Sequence, residues 1–171
     1  SGVGARPSGA GRRGAGGATP LVGLGGGIAV DFAGCCPPLP GDRIIGVVAT
    51  GKGVTIHTAT CQTLDSFAAT PERFLDVDWD YAALGQGGGG SEPFVGRVTV
   101  IAANEPGILA TVTNAVAKQD GSIVNLKIVH RQLDFMEVLV DVEVRDLKHL
   151  SAVIGGLRSA EGISQVERAR S

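Results

Sequence analysis

The chain has 171 residues, 43% apolar and only 4% aromatic, with a formal net charge of -2 and three cysteines. That length suits one or two small domains with aliphatic cores, and the odd cysteine count argues against a disulfide framework and for a reducing, cytoplasmic setting. No run of about 18 apolar residues offers a membrane span, no leader segment opens the chain, and the basic Arg6, Arg12 and Arg13 precede a net-acidic body, so a soluble protein that is not a general nucleic-acid binder is expected.

Residues 1–24 are mostly Gly, Ala, Ser, Pro and Arg, with little to bury, and predict a disordered, solvated segment. A first unit is expected over residues 25–84. Ile28 to Phe32 read as a short strand, Pro37, Pro38, Pro40 and Gly41 force a turn, and Ile44 to Ala49 form a second strand. Gly51-Lys52-Gly53 lacks the spacing of a phosphate loop and reads as a hairpin connection. Val54 to Ile56 are expected to lead into a helical turn that sets His57 and Cys61 at i and i+4 on one face.

All three cysteines fall inside this unit and, with His57, make a four-ligand set: Cys35, Cys36, His57 and Cys61. A Cys₃His set is one of the usual closed tetrahedral zinc arrangements, and a unit this small needs such a staple. The adjacent Cys35-Cys36 pair departs from the ordinary two-residue knuckle. By spacing alone, buried inert thiols or a vicinal disulfide stay open beside zinc.

Arg73 to Asp80 alternate as an edge strand would, and residues 85–92, rich in Gly, read as a flexible linker between two domains. The second domain is expected over residues 93–171. Val95 to Ile101 favour a strand; Asn104 and Glu105 end it, Pro106 suits a first helical turn, and Gly107 leaves room for an approaching ligand. Unpaired N-H groups of the new helix would then face the turn, where the helix dipole suits a carboxylate or phosphate.

Ile108, Leu109, Val112, Ala115 and Val116 recur at helical spacing, and Asp120-Gly121 stops that helix. Ser122 to Arg131 reads as a strand, Phe135 to Arg145 alternates cleanly, Leu147 to Leu157 is amphipathic, and Gly162 to Arg168 is a last strand. The order β-α-β-β-α-β predicts an α+β, ferredoxin-like sandwich with two helices on one face of an antiparallel sheet. The uncovered edge of that sheet predicts a homodimer.

Cys-Cys-Pro-Pro-Leu-Pro-Gly-Asp-Arg-Ile-Ile-Gly, then Gly-Lys-Gly-Val-Thr-Ile-His and Cys61, resembles the zinc-finger or conserved-cysteine domain of the long RelA/SpoT homologues, the bifunctional (p)ppGpp synthetase/hydrolases of the stringent response. Residues 94 to 171 resemble the ACT domain that ends those proteins. The resemblance implies that Cys35, Cys36, His57 and Cys61 hold structural zinc. It also implies a C-terminal regulatory fragment that is not itself an enzyme, acting on the catalytic domains of a full-length protein.

The turn Asn-Glu-Pro-Gly-Ile-Leu is similar to those of amino-acid-binding ACT domains, including the branched-chain-sensing subunits of acetohydroxyacid synthase. By that resemblance the amides of Gly107, Ile108 and Leu109 meet the ligand carboxylate and Asn104 holds its polar end. Ser122 and Asn125, from a partner chain, close the pocket. An aliphatic lining of Ile108, Leu109, Ile123 and Val124 fits valine or isoleucine, with leucine also admitted. The alternative is a dimerisation module that docks on ribosomal RNA and transfer RNA, with Arg43, Lys52 and Arg97 on phosphates.

Overall fold

The computed structural model describes residues 20–25, 27–49, 51, 53–85 and 93–169. The first unit holds β1 (Leu21–Val22), β2 (Val30–Phe32), β3 (Ile44–Ala49), β4 (Gly53–Thr58), 3-10 turns at Gln62–Phe67 and Pro71–Arg73, β5 (Phe74–Leu75), β6 (Asp78–Trp79) and the short helix α1 (Tyr81–Gly85). One sheet runs in the order β2-β4-β3-β5, with β2 parallel to β4 and the other pairs antiparallel. Val47, Val54 and Ile56 bury its apolar side chains, because β-branched residues fill a pleated, half-buried surface well.

Three expectations change here. His57 lies on β4 and not on a helical turn, since Val54, Thr55, Ile56 and Thr58 keep the backbone extended around it. Cys61 follows through a tight turn in which its own N-H donates to the Thr58 carbonyl at 3.0 Å. Arg73 to Asp80 do not make one edge strand; β5 pairs with β3, while β6 pairs with β1. Order also begins before residue 25, because Leu21 is buried and registers with Trp79. Residues 1–19 of the expected disordered segment and 86–92 of the expected linker lie outside the described residues.

The second unit is β7 (Phe94–Ala103), α2 (Ile108–Lys118), β8 (Ser122–Arg131), β9 (Phe135–Val144), α3 (Leu147–Arg158) and β10 (Ile163–Arg168), the expected βαββαβ order. Its sheet is antiparallel, in the order β10-β7-β9-β8, which leaves β8 at one edge. Val98, Val100, Val138, Val140 and Val142 from the sheet and Val112, Leu150, Val153 and Leu157 from the helices have no exposed surface. The alternation along β7 and β9 produces this directly, since every second residue of a strand points to one face. Asp120, at φ 61, and Gly121 turn the chain out of α2.

His149 ties the two helices together. It is buried, its Nδ1 accepts the Arg145 N-H at 3.0 Å, and Nε2 therefore carries the proton that it donates to the Gln119 carbonyl at 2.6 Å. Asp146 caps α3 by accepting the His149 N-H at 2.7 Å. His149→Ala leaves two partly buried backbone groups without their side-chain partner and is expected to cost about 1–3 kcal/mol, read as a lower urea midpoint at unchanged slope. A midpoint equal to the parent's would show that these bonds contribute nothing.

The two units pack on one another. Phe32 stacks on Trp79 with centroids 6.0 Å apart, and Phe94, the first residue of β7, stands edge-on to Trp79 at 5.6 Å. Such aromatic pairs add stability beyond the area they bury. A single hydrophobic cluster runs from Leu39 and Ile56 in the first unit to Leu150 and Val166 in the second.

Candidate functional site

Cys35 and Cys36 follow β2, His57 is the next-to-last residue of β4, and Cys61 precedes the 3-10 turn, so a loop, a strand and a turn bring the four side chains together. Their ligand atoms all lie within 4.8 Å of one another. Cys35 Sγ is 3.7 Å from Cys36 Sγ and 3.6 Å from both Cys61 Sγ and His57 Nδ1, and Cys36 Sγ is 3.6 Å from the same nitrogen. A tetrahedron with sulfur bonds of about 2.3 Å and a nitrogen bond of about 2.0–2.1 Å has edges of roughly 3.6–3.8 Å. None of the cysteines is in a disulfide, which removes the vicinal bridge.

The thiols differ in acidity. Burial, then its neighbours Cys61 and Cys35, push Cys36 up to about 12. Burial also acts to raise Cys61, but hydrogen bonds with Cys36, His57 and Thr63 outweigh it and bring that thiol down to about 6. Cys61 is thus the more acidic thiol of the cluster and Cys36 the less acidic. A cation bound among the four groups would take over the work that shared protons do here.

The second feature is a cleft of about 570 Å³ where β7 gives way to α2, lined by Asn104 to Ala110 and by Ile128, Arg131, Leu133 and Met136. Gly107 sits at φ +83, a left-handed conformation that starts the helix, and a Cβ there would meet nothing within 4 Å. The Ile108 N-H turns back to the Glu105 carbonyl at 3.3 Å, and the Thr111 N-H donates to the Gly107 carbonyl. Among the described residues, the amides of Gly107, Leu109 and Ala110 have no protein acceptor. They form the open positive end of an eleven-residue helix.

Several predicted site residues have other surroundings. Asn104 is at the cleft, but its Nδ2 donates to the Gln132 carbonyl at 2.6 Å and its Oδ1 accepts from Arg131 Nε at 3.4 Å, so its amide pins the β8-β9 hairpin. Ile108 is buried beneath the cleft, whereas Leu109 is exposed at its rim. Ser122 and Asn125 lie at the far end of β8, opposite Glu143 and Asp141, and do not reach the cleft of their own chain. Ile123 and Val124 belong to that far end too.

The apolar wall comes instead from Ile128, Leu133 and Met136, with Arg131 as the cation beside it. Sequence reasoning missed these residues because they come from the following hairpin. The pairing of Ala103 with Phe135 brings that hairpin against the β7-α2 turn.

Elsewhere, Arg97 donates to Asp141 at 2.8 Å, and that bond and charge raise its pKa. It is therefore not a free phosphate ligand. Lys52 lies outside the described residues, and Arg43 is exposed. A groove of about 750 Å³ lies between α2 and α3, lined by residues that include Ala152, Gly155 and Gly156.

Comparison with known proteins adds the following. The RelA/SpoT RIS domain family matches residues 19–80 and an ACT domain family matches residues 90–168. The chain is 39% identical over 130 residues to the GTP pyrophosphokinase rsh of Brucella ovis, covering 76% of this chain and 17% of that protein. It is 29% identical over 144 residues to the bifunctional (p)ppGpp synthase/hydrolase SpoT of Escherichia coli, covering 84% of this chain and 20% of that one. The chain thus spans about a fifth or less of the length of these relatives. The crystal structure of the ACT domain from a Chlorobium tepidum GTP pyrophosphokinase aligns over 46% of this chain and 100% of that one, at 18% identity and a TM-score of 0.40.

Proposed function

The chain is a RelA/SpoT RIS domain joined to an ACT domain, and from that premise we propose that it is the regulatory part of a (p)ppGpp synthetase/hydrolase, with the ACT domain as a sensor of branched-chain amino acids. The observation that carries this reading is the cleft at the start of α2. Three open amides and the Arg131 guanidinium suit a carboxylate, while Ile128, Leu133 and Met136 suit an aliphatic side chain. Valine or isoleucine would shift the full-length protein between synthesis and hydrolysis by binding one of its arrangements more tightly.

A homodimer completes the cleft. β8 is a ten-residue edge strand with Val124, Ile128 and Val129 exposed, the kind of edge that proteins cover. Antiparallel pairing of β8 with a second copy along its whole length sets Ser122 opposite the partner's Arg131 and Asn125 opposite the partner's Ile128. Both partner positions line the cleft. Ser122 and Asn125, remote within one chain, would thus serve the site of the other.

Zinc is the ion we assign to Cys35, Cys36, His57 and Cys61, on the tetrahedral spacing of three thiols and one imidazole. The four side chains would hold it closed, with no position left for a reacting water, so its role is to order the RIS domain. An RNA-docking role has less support. The sheet face away from the helices pairs Arg97 with Asp141 and sets His130 opposite Glu137, so its charges are of both signs and already matched within the chain.

Titration calorimetry tests the sensor. Valine and isoleucine are expected to bind and aspartate to give no heat, because the wall facing the side chain is apolar. Gly107→Val is expected to weaken valine binding about tenfold or more by covering the open amides. Undiminished valine binding by that variant, or no heat with either aliphatic amino acid, would defeat the reading.

A further inference from the structure

The loop between β2 and β3 serves two masters. Its first half supplies Cys35 and Cys36 to the metal cluster, and its second half, Pro37 to Asp42, is the surface on which the ACT domain rests. The Asp42 carboxylate takes both terminal nitrogens of Arg168, at the end of β10, at 2.7 and 2.8 Å. One of those nitrogens also donates to the Pro37 carbonyl at 3.1 Å. The Asp42 side chain is 9% exposed and that of Arg168 27%, so this two-pronged pair is largely withdrawn from water, where leaving either partner alone is costly.

Two more contacts fasten the same loop. The Leu147 N-H, in the first turn of α3, donates to the Pro40 carbonyl at 2.8 Å, so the RIS domain satisfies an end group of an ACT helix. Gly41, at φ +105, brings its backbone so close to Leu147 that a Cβ would stand 3.1 Å from the leucine's own. Within the loop, the Leu39 N-H donates to Asp42 Oδ2 at 2.7 Å, and Asp42 O accepts from Trp79 Nε1 at 3.0 Å. Prolines at positions 37, 38 and 40 fix φ and leave few soft torsions between the cysteines and Asp42.

We propose that the metal and the ACT domain share the Cys35–Asp42 loop as a common ligand, so that filling the cluster strengthens the docking of the ACT domain and docking strengthens the hold on the metal. This rests on the assignment of zinc to the cluster. A loop conformation that both partners select is a coupling free energy between them, and it must be reciprocal. Through it, the zinc content of the RIS domain sets how firmly the amino-acid sensor is held.

The test uses the whole chain with zinc as the probe, in two measurements. Arg168→Gln, which touches no metal ligand, is expected to weaken zinc binding about tenfold in competition with a chromophoric chelator. In the unaltered chain, removing zinc is expected to speed hydrogen exchange of the Leu147 amide while the amides of α2 beyond Thr111 remain protected. If either quantity stays unchanged, the coupling is overturned while the metal site stands. If the parent chain takes up no zinc, the coupling and the metal assignment fall together.

Discussion

Stripping zinc with a chelator is expected to melt the first unit, with a loss of more than about 5 kcal/mol in its apparent stability. Structural zinc contributes about 10–16 kcal/mol in small metallo-domains, against about 5–15 kcal/mol for the total stability of a typical domain. The longest strands of the first unit, β3 and β4, have six residues each, and its second hydrophobic cluster contains only Ala33, Cys36 and Cys61 as buried members. That cluster has little to hold it without the ion. Cys61→Ser is expected to mimic chelation, and circular dichroism melts with and without chelator measure both. Superimposable melts would contradict the assignment.

The pH dependence of the metal-free cluster has a definite sign. Cys61, lowered to about 6, contributes stability that is full above its ordinary thiol range and is lost as pH falls through 6. Cys36, raised to about 12, contributes stability that is present below the ordinary thiol range and is lost as pH rises toward 12. Uptake of the ion displaces the Cys36 proton, so zinc affinity is expected to fall on acidification.

Gly53→Ala is expected to cost more than about 3 kcal/mol, enough to depopulate the folded first unit at 37 °C. Gly53 opens β4 at φ +83, a conformation that costs an L-residue about 1–2 kcal/mol. Its Cβ would also collide with the Ala29 carbonyl oxygen and stand 2.9 Å from the carbonyl carbon. That carbonyl accepts the Val54 N-H at 2.9 Å where β2 joins β4, so it cannot withdraw without opening the sheet. Gly27→Ala is the control: φ is +80, nothing lies within 4 Å, and only the conformational cost is expected. Equal urea midpoints for the two variants would show that the Ala29 contact carries no energy.

The second unit was legible almost element by element, because its valine alternation, its Asp120-Gly121 stop and its amphipathic helices all agree with the same fold. The first unit was less so. His57 was expected on a helical turn because the i, i+4 spacing to Cys61 is compatible with one, but the β-branched residues before it outweigh that spacing. Cys35, Cys36, His57 and Cys61 could be singled out in the sequence as a candidate ligand set, whereas their tetrahedral spacing needed the fold. In the cleft, Gly107 and its free amides follow from the Asn-Glu-Pro-Gly turn. Arg131, Leu133 and Met136 do not, because nothing local to that turn announces which hairpin will lie against it. The pairing of Asp42 with Arg168, 126 positions apart, left no sequence signature.

The sensor reading is tested most directly by mapping amide and methyl chemical shifts of labelled protein during a valine titration. Saturable shifts are predicted at Gly107, Leu109 and Ala110 and at the methyl groups of Ile128 and Leu133. Shifts confined to the groove between α2 and α3, or a spectrum indifferent to valine and isoleucine alike, would contradict it.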